Sequence, residues 1–324
     1  MKINFSIIIP VYNRPDEIDE LLHSLSKQTY SEPFEVVIVE DGSKEKCDKI
    51  VAKYKQDLHI KYLLKPNTGA GLSRNFGMRN ASGNYFIILD SDVLLPPTYL
   101  DTVSKRLADN YADTFGGPDT AHKSFSDWQK AINYSMTSFL TTGGLRGGKN
   151  NTKKFQPRSF NMGLSKKAFK ETGGFTERKI GEDIDLSFRL RQLGFESRLL
   201  SDAFVYHKRR TSIAQFFKQT YNFGKERPVL NRQYRGTAKL TYWFPSLFVI
   251  AFISTIILAL VGCLFPLLLL MIYLMVILID SGLKNKSIKI GFISILSTLI
   301  QFFAYGIGFL KGGIHKKGSQ LCKP

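Results

Sequence analysis

Four stretches rich in apolar and β-branched residues, Phe5–Val11, Phe34–Val39, Ile60–Leu64 and Tyr85–Leu89, each end in a small polar cluster. Runs of this length and composition, bounded by polar residues or glycine, predict buried strands. Helical spacing separates them. Ile18, Leu21, Leu22 and Leu25 share one face after Asn13 and Pro15, a second helix is expected over residues 45–56, and a third begins near Gly71. Asn13 is the expected N-cap of the first helix, with Pro15 in its opening turn. Strands alternating with helices predict a mostly parallel sheet, whose ligand lies beyond the carboxyl ends of the strands. All four polar clusters fall at those ends: Tyr12-Asn13-Arg14, Glu40-Asp41-Gly42-Ser43, Asn67 to Gly71 followed by Arg74 and Asn75, and Asp90-Ser91-Asp92. One site is therefore expected to collect them.

The pattern changes twice further on. Residues 208–242 mix Ile213, Phe216, Phe217, Tyr221 and Phe223 with lysine and arginine. That mixture predicts a basic amphipathic helix lying on a membrane surface, the competing expectation being a helix packed on the catalytic core. Pro245–Ile279 then runs 35 positions without a charge. A span needs about 20 residues, so the run holds two, with Gly262 and Pro266 marking the turn and Tyr242 and Trp243 at the first boundary. Ile290–Leu310, uncharged over 21 positions, is a third span or a re-entrant segment. The expected organisation is a catalytic domain over 1–207, an interfacial segment over 208–242, and a membrane region over 243–324 with two or three transmembrane helices. The glycine-rich stretch 141–154 is a lid over the site or a surface connection.

Charge sharpens this picture. The formal net charge is +18, which by itself admits nucleic acid, anionic lipid and nucleotide phosphates as partners. Its distribution decides: Lys208 to Lys239 holds nine lysine or arginine residues against the single acid Glu226, directly before the apolar run. Anionic lipid head groups are the expected partner of such a segment, and no nucleic acid is expected, because the bases do not form an aromatic-studded groove. Basic clusters before the first span, at Lys284, Lys286 and Lys289, and at Lys311–Lys323 flank the apolar runs. The positive-inside rule would put all three on the cytoplasmic face; a third full span would carry the last one outside. The first strand starts at Phe5, so no cleavable signal peptide is expected. Cys47, Cys263 and Cys322 follow no metal spacing and predict no disulfide framework.

The chemistry sits at the strand ends. Asp90 and Asp92 can reach one divalent cation, or one cation and a ribose, and their hard oxygens suit Mg²⁺ or Mn²⁺. Asp41 is a helix N-cap or a hydrogen-bonding partner for a nucleotide base. Asn67, Gly69, Gly71, Arg74 and Asn75 form a glycine-containing turn into a helix, which favours anions. No Gly-Lys-Ser/Thr follows, so it is not a Walker loop. Glu182, Asp183 and Asp185 cluster before another helix, as acids that suit a helix N-terminus or as the general base that a sugar hydroxyl requires. His207 closes the segment as a structural residue or a metal ligand.

In combination, Ile7 to Asn13, Glu40 to Ser43, Asn67 to Gly77, Asp90 to Asp92, Asn161-Met162, Gly173 to Phe175 and Gly181 to Asp183 resemble the family 2 glycosyltransferases. More narrowly, the chain is similar to bacterial membrane-attached transferases of the exopolysaccharide and succinoglycan type. The resemblance covers about the first 210 residues and implies an α/β GT-A fold, a Rossmann-like, mostly parallel nucleotide-sugar-binding domain, followed here by a C-terminal transmembrane helical region. It also implies inverting sugar transfer from a nucleotide diphosphate sugar. By that resemblance Asp41 contacts the base, and Pro10 and Tyr12 line the nucleotide pocket with Asn13, Asn67, Gly69, Arg74 and Asp90. Asp92, with Asp90 and His207, binds Mn²⁺ or Mg²⁺. Asp183, with Glu182 beside it, deprotonates the acceptor. The Gln-x-x-Arg-Trp motif of processive synthases is missing: the corresponding segments read Gln215 to Lys218 and Gln219 to Asn222. The implied protein is a multi-pass enzyme of the inner membrane with a cytoplasmic active site, adding one sugar to a lipid-linked glycan acceptor in cell-surface polysaccharide synthesis. Transfer to polyprenyl phosphate and a catalytically silent membrane scaffold stand as alternatives.

Overall fold

The computed structural model describes residues 2–143 and 155–314. These form two compact units, one within residues 1–122 and 147–208, the other within 123–146 and 209–324.

The first unit is built on a seven-stranded sheet. Its elements begin β1 (Phe5–Val11), α1 (Pro15–Ser26), β2 (Glu35–Asp41), α2 (Asp48–Lys53), β3 (His59–Lys65), α3 (Ala70–Asn80) and β4 (Tyr85–Leu89). There follow β5 (Val93–Leu94), α4 (Tyr99–Asp109), β6 (Thr114–Gly116) and β7 (Asp119–Thr120), and, in the second stretch, β8 (Asn161–Ser165), α7 (Lys166–Thr172), α8 (Glu182–Gln192), β9 (Ser197–Leu199) and β10 (Val205–His207). The strand order is β3-β2-β1-β4-β8-β6-β9. The first four strands are parallel, as the alternation of elements predicts, and β8 runs antiparallel to both neighbours. Strands β1, β2 and β4 are buried along their whole length, which is why their sequences are continuously apolar rather than alternating. Ile7, Ile9, Val36 and Ile38 pack on one face with Ile18, Leu21 and Leu22 of α1. Ile8, Val37 and Val39 pack on the other with Met78 of α3 and Leu186 and Leu190 of α8. A second, three-stranded sheet pairs β10 with β5 and β7.

Two local expectations need correction. Arg14, not Asn13, is the N-cap of α1; Asn13 adopts a left-handed backbone with φ of 52°. The second helix is shorter than 45–56, covering Asp48–Lys53. Cys47 is buried and Cys263 exposed, both free thiols, and Cys322 lies outside the described residues. So do residues 144–154 of the glycine-rich stretch.

The second unit is helical: α5 (Asp127–Thr137), α6 (Phe139–Thr142), α9 (Ile213–Gln233), a single 3-10 turn at Leu240–Tyr242, α10 (Phe244–Leu260), α11 (Phe265–Asn285) and α12 (Ile288–Ile314). The uncharged run Pro245–Ile279 divides where expected, at Gly262 with φ of 91°, and Pro266 opens α11. Helices α11 and α12, of 21 and 27 residues, are long and apolar enough to cross a membrane, while α10 is apolar but shorter at 17.

Helix α12 is the packing centre of this unit. A β-carbon on Gly308 would lie 2.2 Å from the Tyr221 carbonyl oxygen, one on Gly312 2.1 Å from that of Lys225, and one on Gly306 2.7 Å from that of Pro245. Backbones therefore touch, in the way membrane helices associate through small residues. Serines close the remaining gaps: Ser297 donates to the Ala131 carbonyl of α5 at 3.0 Å, and Ser246 donates to that of Gly306 at 3.0 Å. The basic helix α9 buries Phe216, Thr220, Gly224 and Leu230 and leaves Ile213, Phe217 and Phe223 exposed. Its buried face packs on α12, a partner the sequence pattern did not name.

Gly308→Val is expected to destabilise the detergent-solubilised protein by about 1–3 kcal/mol or more through overpacking. Gly313→Ala, where a β-carbon meets nothing within 4 Å, should be neutral or slightly stabilising. Thermal unfolding of the two variants beside wild type checks the contrast.

Candidate active site

The end of β1 is held to the end of β2 by Asn13. Its left-handed backbone turns the side chain so that Oδ1 accepts from the Lys44 and Glu45 N–H groups at 2.7 and 3.2 Å, while its own N–H donates to Ser43 Oγ at 2.8 Å. Behind this clip lies Glu40, 1% exposed, which accepts from Cys47 N–H at 2.9 Å, Tyr62 Oη at 2.6 Å and Ser43 Oγ. Tyr12 is half exposed above the strand end, and Pro10 is buried within the strand.

Asp41 is 3% exposed. Its carboxylate does not cap the helix that follows β2. It accepts from Lys65 Nζ at 2.6 Å and from the Thr68 and Gly69 N–H groups at 2.9 Å each, and so fixes the turn into α3. Asn67 Nδ2 donates to the Asp41 carbonyl at 2.8 Å. Burial favours the neutral carboxyl, but the Lys65 ammonium, then Thr68 N–H, Ser73 and Gly69 N–H, outweigh it and hold the group below the usual carboxylate value.

Arg74 on α3 is the central cation, 3% exposed. It donates to Asp90 Oδ1 at 2.6 Å and to Glu182 Oε1 at 3.1 Å, and its guanidinium lies over the Phe175 ring at 5.2 Å. One side chain thus joins the carboxyl end of β4 to the first turn of α8. Burial pushes the Glu182 carboxyl up, Arg74 opposes that rise, and the neighbouring Asp183 adds to it. Asp183 faces Arg158 Nη1 at 3.5 Å. Asp185, the third acid of the cluster, is structural: it holds Arg189 Nε at 3.0 Å, and that guanidinium ties down the carbonyls of Thr172 and Gly174. Asn75 closes the same loop with two bonds to the Phe175 backbone, at 2.7 and 2.8 Å.

Asp90, Asp92 and His207 each offer one ligand atom, and the three lie within 4.8 Å of one another. The register explains the meeting. His207 pairs with Val93, so it arrives beside Asp92, with Nε2 3.2 Å from Asp92 Oδ1. The parallel pairing of β10 with β7 brings Asp119 to the far side, 3.6 Å from His207 Nδ1. Phe160 packs against the imidazole with centroids 4.7 Å apart. Two carboxylates and an imidazole form a donor set that could hold a divalent cation such as Mn²⁺.

The structure therefore gathers Arg74, Asp90, Asp92, Glu182 and His207 into one connected group, with Asp183 next to Glu182. Asp41, Asn67 and Gly69 form a separate, linked turn. Asn161 is a buried structural amide, accepting from Tyr99 Oη at 2.6 Å and donating to the Ala203 carbonyl at 2.8 Å. The sequence reading passed over Lys65, Asp119, Arg158 and Phe160. Lys65, the polar residue closing an apolar strand opposite the Asp41 strand end, was the one with a visible signal.

Comparison with known proteins points one way. The model of the family described as glycosyl transferase family 2 matches residues 6–173. Chondroitin synthase of Pasteurella multocida (strain Pm70) is 30% identical over 240 residues, 64% of this chain and 25% of that protein. Chondroitin synthase of Escherichia coli is 28% identical over 235 residues, covering 63% and 34%. The chain thus spans only about a quarter to a third of these relatives. Among solved structures, residues 1–349 of Staphylococcus aureus TarS in complex with UDP superimpose with a TM-score of 0.51 at 24% identity, covering 69% of this chain and 65% of that one. The mannosyltransferase PcManGT of Pyrobaculum calidifontis, in complex with GDP-Man and Mn²⁺, gives 0.64 at 17% identity and covers 92% and 88%. These likenesses establish the GT-A fold.

Asp41→Asn should cost about 1–3 kcal/mol of stability near neutral pH. Because the folded-state pKa is depressed, the carboxylate's contribution is present above the unfolded value near 4 and is lost as pH falls through the folded value. Thermal unfolding should therefore show the gap between wild type and variant closing below about pH 4.

Proposed function

The chain belongs to glycosyl transferase family 2, and from that premise we propose that it transfers a sugar, with inversion, from a nucleoside diphosphate sugar to a membrane-held, lipid-linked glycan acceptor. The observation that carries this reading is the buried Arg74, which links the cluster of Asp90, Asp92 and His207 to Glu182 and Asp183. A donor diphosphate at the first group and an acceptor hydroxyl at the second would be adjacent.

In this reading the turn of Asp41, Asn67 and Gly69 receives the nucleoside, together with Pro10, Tyr12 and Asn13. TarS was solved with UDP-GlcNAc and PcManGT with GDP-Man, so a nucleoside diphosphate sugar is the shared donor class. Asp90, Asp92 and His207 would hold Mn²⁺ or Mg²⁺, and the bound cation would neutralise charge on the departing diphosphate. Asp183 takes the proton of the acceptor hydroxyl as its oxygen forms the new bond to the anomeric carbon. The bond from that carbon to the diphosphate oxygen breaks on the opposite face, and its electron pair leaves with the nucleoside diphosphate. Glu182 and Arg74 position Asp183 and Asp90 rather than exchanging protons themselves. The apolar helices and the excess of bases over acids in residues 208–239 support an enzyme held at a membrane with its active site on the cytoplasmic side. Confinement of enzyme and acceptor to one surface raises their effective concentration.

Detergent-purified full-length protein is incubated with a panel of nucleotide sugars, membrane lipid extract and Mn²⁺ or Mg²⁺, and nucleoside diphosphate release is measured. One donor should respond, in a cation-dependent manner. Asp183→Asn should lower release by about 10²–10⁴-fold while calorimetric donor binding stays within a few-fold of wild type. Asp92→Ala should lose both release and cation-dependent donor binding. A wild-type protein that neither binds nor turns over any donor would overturn the assignment.

A further inference from the structure

The second unit contains a buried cation that the proposed transfer does not use. Arg227 on α9 is 8% exposed, and its guanidinium lies over the Tyr242 ring at 4.4 Å. Nη1 is buried with no hydrogen-bond partner, and among the described residues no carboxylate pairs with this side chain. Two more buried oxygens without partners belong to the same neighbourhood by position. Asn231 is one helical turn further along α9, on the same face, and Thr241 adjoins Tyr242. A buried guanidinium without an anion is among the costlier arrangements a fold can hold, and buried polar atoms are normally satisfied. Arg227 Nη1 carries the argument: a buried guanidinium nitrogen whose anion the described residues do not supply points to a partner from outside the chain.

The chemistry of that partner follows from the donors. Arginine offers a planar fork of N–H groups and no acceptor, which matches a phosphate. A threonine hydroxyl and an asparagine amide, whose O and N positions are interchangeable, add neutral donors. The location narrows the source. Trp243 follows Tyr242 directly and leads into apolar α10, whose Phe244, Leu247 and Ile250 are exposed. Aromatic residues beside an apolar helix mark the depth of lipid head groups. The geometry points to Arg227, Thr241 and Asn231 as a binding site for the phosphate of a phosphorylated lipid head group. This site stands independently of the glycosyl transfer reading, and no catalytic step depends on it.

The test uses full-length protein in a non-ionic detergent and a phosphate-free buffer, in a Trp128→Phe background so that Trp243 is the single fluorescent tryptophan. Dihexanoyl phosphatidic acid is titrated below its micelle concentration, beside inorganic phosphate and dihexanoyl phosphatidylcholine. Saturable quenching by the phosphatidic acid is expected, with an apparent Kd raised at least tenfold in Arg227→Met and less in Arg227→Lys. Size-exclusion profiles and circular dichroism report whether each variant is folded. If Arg227→Met is not, Arg227→Lys and Thr241→Val carry the comparison, each expected to weaken binding about threefold or more. Equal, Arg227-dependent binding of inorganic phosphate would keep the anion site and assign it to free phosphate rather than lipid. Absence of saturable binding by both phosphates, or titrations unchanged in the folded Arg227 and Thr241 variants, would overturn the proposal.

Discussion

The Arg74 guanidinium is the constraint on which the first unit's site depends. Three carboxylates, those of Asp90, Glu182 and Asp183, stand near one another, and like charges at short range in a poorly solvated interior do not remain together unaided. Arg74 is buried, reaches both Asp90 and Glu182, and is backed by the Phe175 ring. It is set in place by α3, whose start is fixed by Asp41 and whose next residue, Asn75, pins the loop carrying Phe175. The chain of cause therefore runs from the end of β2, through the turn into α3, to the first turn of α8. A pair of this kind contributes little net stability when intact, yet its loss leaves uncompensated charge. Its value lies in the arrangement it imposes.

What was legible in the sequence follows from how each feature is encoded. Strands β1, β2 and β4 are buried on both faces, so their burial is written as continuous apolar runs, and the polar clusters after them mark the strand ends directly. The helix that Pro15 opens was also visible, but its cap was not. Asn13 suits either a helix N-cap or a left-handed backbone, and only the pairing of β1 with β2, which brings Lys44 and Glu45 within reach, selects the second. Asp41 was ambiguous in the same way, because its partners Lys65 and Thr68 lie a strand and a turn away. The meeting of Asp92, His207 and Asp119 is carried by strands of two and three residues, too short to show any periodicity. Helix α5 is the clearest illegible element. It lies early in the chain but packs with α12, and nothing local in Asp127–Thr137 signals a partner more than 150 positions away.

The second unit follows different rules. It buries apolar residues such as Phe216, Leu230 and Phe302, yet α10 and α11 keep broad apolar faces exposed. Glycines let three neighbouring helices, α9, α10 and α11, approach α12 to backbone contact, and Ser297 ties α5 to it through the Ala131 carbonyl. That contact logic places α9, whose composition suggests a helix resting on a lipid surface, with Gly224 docked against Tyr305 on one face and phenylalanines presented on the other. Basic residues and exposed aromatics remain compatible with a lipid boundary, but it is the small-residue contact that fixes where the helix sits.

Charge accounting within the first unit bears on the order of events in the proposed transfer. Asp90, Glu182 and Asp183 face the guanidinium groups of Arg74 and Arg158, while Asp92 and Asp119 face His207. Five carboxylates against two guanidinium groups leave an excess of three negatives on formal charges, two of which one divalent cation would offset. A nucleoside diphosphate approaching that excess would be repelled at the place where its leaving oxygen must sit, and Arg74 cannot relieve the repulsion because its two carboxylate partners already engage it. His207 adds a donor to the two carboxylates without adding a negative charge, so the set can hold a cation without deepening the repulsion. In the proposed transfer, the same carboxylates would disfavour an unaccompanied diphosphate and favour one that arrives with, or after, its cation. Donor binding and cation binding would therefore be coupled in that transfer through Asp90, whose carboxylate stands between Arg74 and the other two candidate ligands, Asp92 and His207.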